Sequence, residues 1–244
     1  MAIEVFNRRE QKYMLDEETY GRVIQYIEKY MKPDAYSTDG GFYSICNIYY
    51  DTADDYLIRK SISKPVYKEK LRLRSYGTPD KSSKAFVEIK KKYRGIVNKR
   101  RVTMTLGEAE AYMDKNVSPR SENINRQVLA ETDYLKVHYS LMPKVYISYD
   151  RRAYFGKDDD SFRVTFDTNI RTRRTDLKLD SGAYGTELLQ PGYRLMEVKI
   201  SGAVPKWFTG MLSQLKIYPI SFSKYGTEYK NYIKNIKKEK IQYV

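Results

Sequence analysis

The stretch VYKEKLRLRSYG (Val66–Gly77) decides how this chain is read. Lys68, Lys70, Arg72 and Arg74 recur at every second position, with Leu71 and Leu73 between them. Successive side chains of an extended strand point to opposite faces, so the spacing predicts a strand with cations on one face and leucines on the other. Like charges in a row repel one another, and an anion lying against them would offset that repulsion.

Outward from this segment the alternation recurs. AFVEIKKK puts Glu88, Lys90 and Lys92 on one face, and VNKRRVTM pairs Lys99 with Arg101. YISYDRRAYF aligns Tyr149 with Arg151, and FRVTFD sets Arg163, Thr165 and Asp167 opposite Phe162, Val164 and Phe166. RLMEVKI sets Glu197 and Lys199 against Met196, Val198 and Ile200, while Arg8, Glu10 and Lys12 share a face near the N-terminus. An antiparallel sheet with one wet face collects Lys, Arg and Glu by default, and that account serves any single strand. The joint pattern asks for more. Arg is used freely, and its planar fork suits bidentate phosphate contacts. Such faces turned inward would line a basic barrel that holds several phosphates at once. Glu10, Glu88 and Glu197 can each give oxygen ligands to a Mg²⁺ or Mn²⁺ that bridges to phosphate, the competing role being a salt bridge to a strand neighbour.

Bulk properties agree with an anionic partner. The 244 residues carry 45 Lys+Arg against 31 Asp+Glu, a net charge of +14 spread along the chain rather than gathered in a tail. That balance points to nucleic acid, a phospholipid surface or a phosphorylated molecule or polymer. The 41% hydrophobic content and 25 tyrosines suit a folded, β-rich protein. Cys46 is the sole cysteine, in an apolar run that predicts packing and excludes an internal disulfide. The start, MAIEVFNRREQKY, becomes charged too early for a signal peptide, and no apolar run approaches the roughly 20 residues of a membrane span. A soluble, cytoplasmic protein is expected. With His138 as the single histidine, expected in packing or at the surface, there is no Ser-His-Asp set and no His/Cys metal cluster. No P-loop or glycine-rich dinucleotide motif occurs either. Phosphoryl transfer stays open, because it depends on positioning and charge neutralisation more than on a dedicated base.

The periodicity predicts strands over 4–14, 42–50, 67–75, 85–93, 96–105, 144–155, 162–167 and 194–200, with a short one near 219–222. Arg94–Gly95 reads as a hairpin turn. Helices are predicted from an Asp16 cap to Met31, from about Ser121 to Met142, from Pro205 through Leu215, and from about Lys224 through Ile236. Trp207 and the tyrosines of the last helix read as packing. With no repeat and no linker, one α+β domain over residues 1–244 is the simplest organisation.

The ordered set RREQKY, KLRLRSYG, VEIKKK, KRR, YDRRAY, FRVTFD, MEVK and SFSKYG resembles the polyphosphate polymerase (VTC, vacuolar transporter chaperone) catalytic domain. That domain belongs to the triphosphate tunnel metalloenzyme, or CYTH-like, superfamily, and the resemblance covers about residues 4 to 233. It implies an antiparallel barrel tunnel of about eight strands with flanking helices. It also implies transfer of the γ-phosphate of ATP to phosphate or polyphosphate with Mn²⁺ or Mg²⁺. Carried over residue by residue, it implies catalytic roles for Arg72, Arg74, Lys90, Arg151 and Arg163. Substrate contacts would come from Arg8, Lys12, Lys70, Lys99, Arg101, Tyr149, Lys199, Ser223 and Lys224. Glu197 is the foremost metal ligand, beside Glu10 and Glu88. The superfamily's Glu-x-Glu-x-Lys signature has Arg8 in place of its first Glu, which favours the polymerase branch over the triphosphatases. The helical sensing domain and membrane segments of larger members are not expected here, so a membrane-protein partner would take up the product. Two other functions compete: hydrolysis of tripolyphosphate or a nucleoside triphosphate in the same tunnel, and non-catalytic binding of polyphosphate or nucleic acid. Nucleic acid is disfavoured, because many aromatics sit opposite the cations instead of among them.

Overall fold

The computed structural model describes residues 9–37, 41–120 and 124–242, with side chains to 238. The strands are β1 (Arg9–Leu15), β2 (Met31–Pro33), β3 (Tyr43–Asp51), β4 (Tyr67–Tyr76), β5 (Lys84–Tyr93), β6 (Ile96–Thr105), β7 (Met142–Gly156), β8 (Arg163–Arg173), β9 (Thr186–Glu187) and β10 (Arg194–Ile200). They hydrogen-bond in the order β1-β10-β8-β7-β3-β4-β5-β6, with β2 on β7 and β9 on β8. The helices are α1 (Glu17–Tyr30), α2 (Tyr56–Ile62), α3 (Leu106–Lys115), α4 (Arg126–Tyr139), α5 (Lys206–Gln214) and α6 (Lys224–Gln242). The fold is α+β with antiparallel pairing, as the alternation predicts. None of these helices is long and apolar enough to cross a membrane.

The chain divides into two compact units: Met1–Ser44, Tyr149–Ile170 and Leu189–Phe222 in the first, Ile45–Ser148, Arg171–Leu188 and Ser223–Val244 in the second. In the first unit, Tyr13 and Leu15, Val164 and Phe166, and Met196, Val198 and Ile200 turn to one face of β1, β8 and β10. They bury against Tyr20, Val23 and Ile27 of α1 and Phe208 and Met211 of α5. Trp207 joins this core, stacked on Tyr30 at 4.7 Å, so its packing role holds. Asp16 caps α1 by accepting a hydrogen bond from the Thr19 N–H at 2.8 Å.

In the second unit, Leu71, Leu73, Val87, Ile89, Val102 and Met104 form the apolar face of β4, β5 and β6. Helices α3 and α4 cover that face with Ala109, Tyr112, Val128, Leu129 and Leu135, and the fully buried Cys46 lies in the same cluster. Arg94 (φ 46°) and Gly95 (φ 88°) make the turn between Tyr93 and Ile96 with both central residues left-handed, the geometry a two-residue hairpin requires. His138 stacks on Tyr134 at 5.1 Å and meets Tyr139 edge-on.

Four expectations need correction. The helix expected over 121–142 is α4, which starts after an Asn125 cap whose side chain accepts from the Gln127 and Val128 N–H groups; residues 121–123 lie outside the described residues. The segment 219–222 is not a strand; Ile220 only donates its N–H to the Lys12 carbonyl, at 2.7 Å. Strand β8 runs past Asp167 to Arg173. Helices α2 and α3 went unforeseen, although Thr105-x-x-Glu108 at the start of α3 is a complete capping box.

Candidate functional site

Each unit carries its own charged face. In the second unit the register aligns Lys70 with Lys90 and Lys99 across β4, β5 and β6, and Arg72 with Glu88 and Arg101 in the next row. Arg74 follows, opposite Phe86. Glu88, 1% exposed, is the anchor. Its Oε2 accepts from Arg72 Nε at 2.7 Å and lies 3.6 Å from Arg74 NH1. Lys99 Nζ sits 2.6 Å from Oε1 in an ion pair. Burial alone would raise the Glu88 carboxyl, but Arg72, Arg74 and Lys99 outweigh it and hold the group well below the usual carboxylate range. Burial, with Arg72 and Arg74 adding to it against Glu88, pushes the Lys99 ammonium down to about 8.

Two residues of β3 complete this face and were not anticipated. Asn47 accepts from Arg74 Nε at 2.8 Å while its amide donates to the Ile147 carbonyl at 2.9 Å, so the guanidinium is held from behind. The Tyr49 hydroxyl accepts from Arg72 NH1 at 3.0 Å. Burial would raise the Tyr49 phenol, but Arg72, Lys70 and Arg74 overcome it and bring it to about 8. Polar Asn47 inside the apolar run SICNIYY was the available signal for this strand. Ser223 sits just before α6, where its hydroxyl accepts from the Gly226 N–H at 3.2 Å and lies 3.5 Å from Lys70 Nζ. Lys224 beside it is buried.

On the first unit's face the same period-two cations are matched with carboxylates. Arg151 makes a bidentate pair with the fully buried Asp167 (Nε–Oδ1 2.6 Å, NH2–Oδ2 2.7 Å) and reaches Glu197 at 3.4 Å. Its guanidinium also lies over the Tyr149 ring, at 5.1 Å. Lys12 stands between Glu10 (3.3 Å) and Glu197 (3.2 Å). Arg163 donates to Asp34 Oδ2 at 3.1 Å, and Tyr43 donates to the same oxygen at 3.0 Å. Lys199 pairs in register with Glu10 on one side and Arg163 on the other. Burial, reinforced by Arg151 and opposed by Glu10 and Glu197, pushes its ammonium down to about 7. Asp167 was visible in the alternation of FRVTFD as a residue on this face; Asp34 lies in a loop, where no period marks it. Arg8 lies outside the described residues.

The carboxylates differ in what they can hold. Both oxygens of Glu88 are taken by cations. Glu10 and Glu197 converge on a single ammonium, and two hard-oxygen donors side by side suit a Mg²⁺ or Mn²⁺ that also takes phosphate oxygens. Among the described residues, no three His, Cys, Asp or Glu side chains are placed to hold a metal together, so substrate oxygens would have to complete the shell.

The VTC domain family model matches residues 7–233, which takes in both faces. The chain belongs to the VTC domain family. Two solved structures share the fold of this VTC domain. One is a candidate adenylate cyclase from Bacillus halodurans: 15% identity, TM-score 0.54, covering 90% of this chain and 94% of its own. The other, from Hippeastrum, is a candidate adenylyl cyclase described as revealing a dominant triphosphatase activity: 14% identity, TM-score 0.56, covering 91% of this chain and 95% of its own. At such identity the likeness is one of fold, and it agrees with the mostly antiparallel α+β class the sequence predicts; the expected barrel is not closed among the described residues, the strand order ending at β1 and β6. A search of curated proteins gives no match to this VTC domain.

Proposed function

We propose that this VTC domain is a polyphosphate polymerase that transfers the γ-phosphate of ATP to inorganic phosphate or polyphosphate with Mn²⁺ or Mg²⁺. Residues 1–244 are read here as a single catalytic domain. The reading rests on register: Lys70–Lys90–Lys99 and Arg72–Glu88–Arg101 form adjacent cross-strand rows with one carboxylate among them, and a row of cations needs an anion to offset its repulsion. Catalytic roles fall to Arg72, Arg74 and Lys90 in the second unit and to Arg151 and Arg163 in the first. Lys12, Lys70, Lys99, Arg101, Lys199, Lys224, Tyr149 and Ser223 hold phosphate. In the transfer, the bond from the γ-phosphorus to the bridging oxygen breaks, an acceptor-phosphate oxygen bonds to the phosphorus, and ADP leaves. The acceptor oxygen is already anionic near neutral pH, so the step needs charge neutralisation and alignment more than a base. Glu10 and Glu197 would hold the divalent ion, which when bound neutralises phosphate charge. Glu88 is assigned to orienting Arg72, Arg74 and Lys99.

Incubation with ATP and Mn²⁺ is expected to give acid-labile long-chain phosphate, and its absence under conditions where ATP binds would sink the polymerase reading. Release of orthophosphate alone would support the second reading, hydrolysis with water as acceptor, which the activity described for the Hippeastrum protein favours. The site residues, cytoplasmic location and membrane-protein partner belong to this same proposal.

A further inference from the structure

The charged face of β4–β6 does not end in charge. Beyond the Arg72–Glu88–Arg101 row, Phe86 stands in register between Arg74 and Thr103, and Tyr76, two residues past Arg74, shares its side of the sheet. The other tyrosines of these strands, Tyr67 and Tyr93, fall on the opposite parity. Phe86 and Tyr76 meet edge to face with centroids 5.6 Å apart, and the Arg101 guanidinium lies 4.9 Å from the Phe86 ring centre. Phe86 is only half-buried and Tyr76 is 39% exposed, so neither ring is a core residue. From the Phe86 row to the Lys90 row is four residues, about 13 Å at the antiparallel rise. That spacing is on the scale of an extended nucleoside triphosphate from base to terminal phosphate.

We propose that Phe86 and Tyr76 form a nucleobase platform at the β4–β5 turn end of this face, taking the base of a purine nucleoside triphosphate, with Arg101 standing between the platform and the phosphates. This deepens the proposed function and rests on it. An aromatic ring recognises a base by stacking, which every base can do and purines do over a larger area. ATP and GTP should therefore bind alike, and CTP more weakly at the same charge. The platform also fixes direction, with the base at the turn and the phosphates running toward Lys70, Lys90 and Lys99.

Binding of ATP, CTP and tripolyphosphate to the full chain by titration calorimetry tests this. In the unaltered protein ATP should bind about five- to tenfold more tightly than CTP. Phe86→Leu keeps apolar volume without the π face; it should weaken ATP about tenfold, leave tripolyphosphate within about twofold, and erase the ATP–CTP difference. Tyr76→Ala, at the more exposed of the two rings, should act in the same direction by a smaller factor. Equal affinity for ATP and CTP in the unaltered protein overturns the platform, as does a Phe86→Leu variant that loses tripolyphosphate as much as ATP or loses neither. Failure of tripolyphosphate to bind the unaltered protein is a separate result, which overturns the proposed function beneath it.

Discussion

The two charged faces come from strands that look alike in sequence, yet they are neutralised differently. On the face of β4–β6, Glu88 is the one carboxylate in the rows that bring together Lys70, Arg72, Lys90, Lys99 and Arg101. On the face of β1, β8 and β10, with Arg151 of β7, nearly every cation has a carboxylate of its own: Lys12 has Glu10 and Glu197, Arg151 has Asp167, and Arg163 has Asp34. The first arrangement keeps charge in excess for an incoming anion. The second fixes side-chain direction at the expense of net charge, and it groups the carboxylates suited to a metal. Period-two spacing reveals that a face is charged; it does not reveal how the charge is balanced.

The largest expected effect that separates the faces is on stability. Arg151→Ala would take the bidentate guanidinium from the buried Asp167, and should lose about 3–5 kcal/mol in urea unfolding. Arg72→Ala leaves Glu88 with Arg74 and Lys99, so its loss of stability should be clearly smaller. If the two unfold alike, the distinction between an excess face and a paired face is wrong.

Next comes ligand affinity. Removing the Arg72 fork should weaken tripolyphosphate about tenfold to a hundredfold, as expected for charge-assisted hydrogen bonds. Calorimetry at fixed salt reads this directly, and an unchanged affinity would take the excess face out of phosphate binding.

Metal binding should divide the carboxylates. Glu10→Gln or Glu197→Gln should lower the affinity for Mn²⁺ in the presence of tripolyphosphate about tenfold or more, whereas Glu88→Gln should leave it nearly unchanged. Electron paramagnetic resonance of free Mn²⁺ measures the difference, and a strong effect at Glu88 would reverse the assignment.

The smallest effect is on pH dependence. Lys199 and Lys99, pushed down to about 7 and about 8, lose their charge as pH rises through those values. Tripolyphosphate binding should therefore weaken between pH 6.5 and 9 and be accompanied by proton uptake, seen as a dependence of the calorimetric heat on the buffer. Stability of the unliganded protein moves the other way. The folded state holds fewer protons on these lysines than the unfolded state, whose ordinary value is 10.5, so their contribution improves as pH climbs from about 7 toward 10.5. Lys99→Arg, charged throughout, should remove the lysine's share of the upper part of the binding profile and leave that of the Tyr49 phenol, which titrates at about 8 on the same face.

Much of the architecture was legible because alternation is strong where one sheet face is apolar. The hairpin at Arg94–Gly95, the Asp16 cap and the partition of Leu71 and Leu73 from Arg72 and Arg74 all follow from local rules. Family membership was legible too, from the order of the basic segments. The short helix α2 was not: it starts after Asp55 in a left-handed conformation, with Asp51, at the end of β3, accepting from the Leu57 and Ile58 N–H groups. No periodicity can appear in so few residues. The second layer of the charged faces was hidden for a similar reason. Asn47 and Asp34 act on arginines far away in sequence, and only the fold brings them within reach.

Among the described residues strand β6 has a single strand neighbour, β5, and it carries Lys99, Arg100 and Arg101 in succession. A sheet that stops needs something to discourage a second molecule from adding a strand, and consecutive charges at its rim do this at little cost. Neutralising several of these residues together would thus risk self-association as well as weaker binding of phosphate. Single substitutions checked for molecular size in solution are the cleaner way to probe this strand.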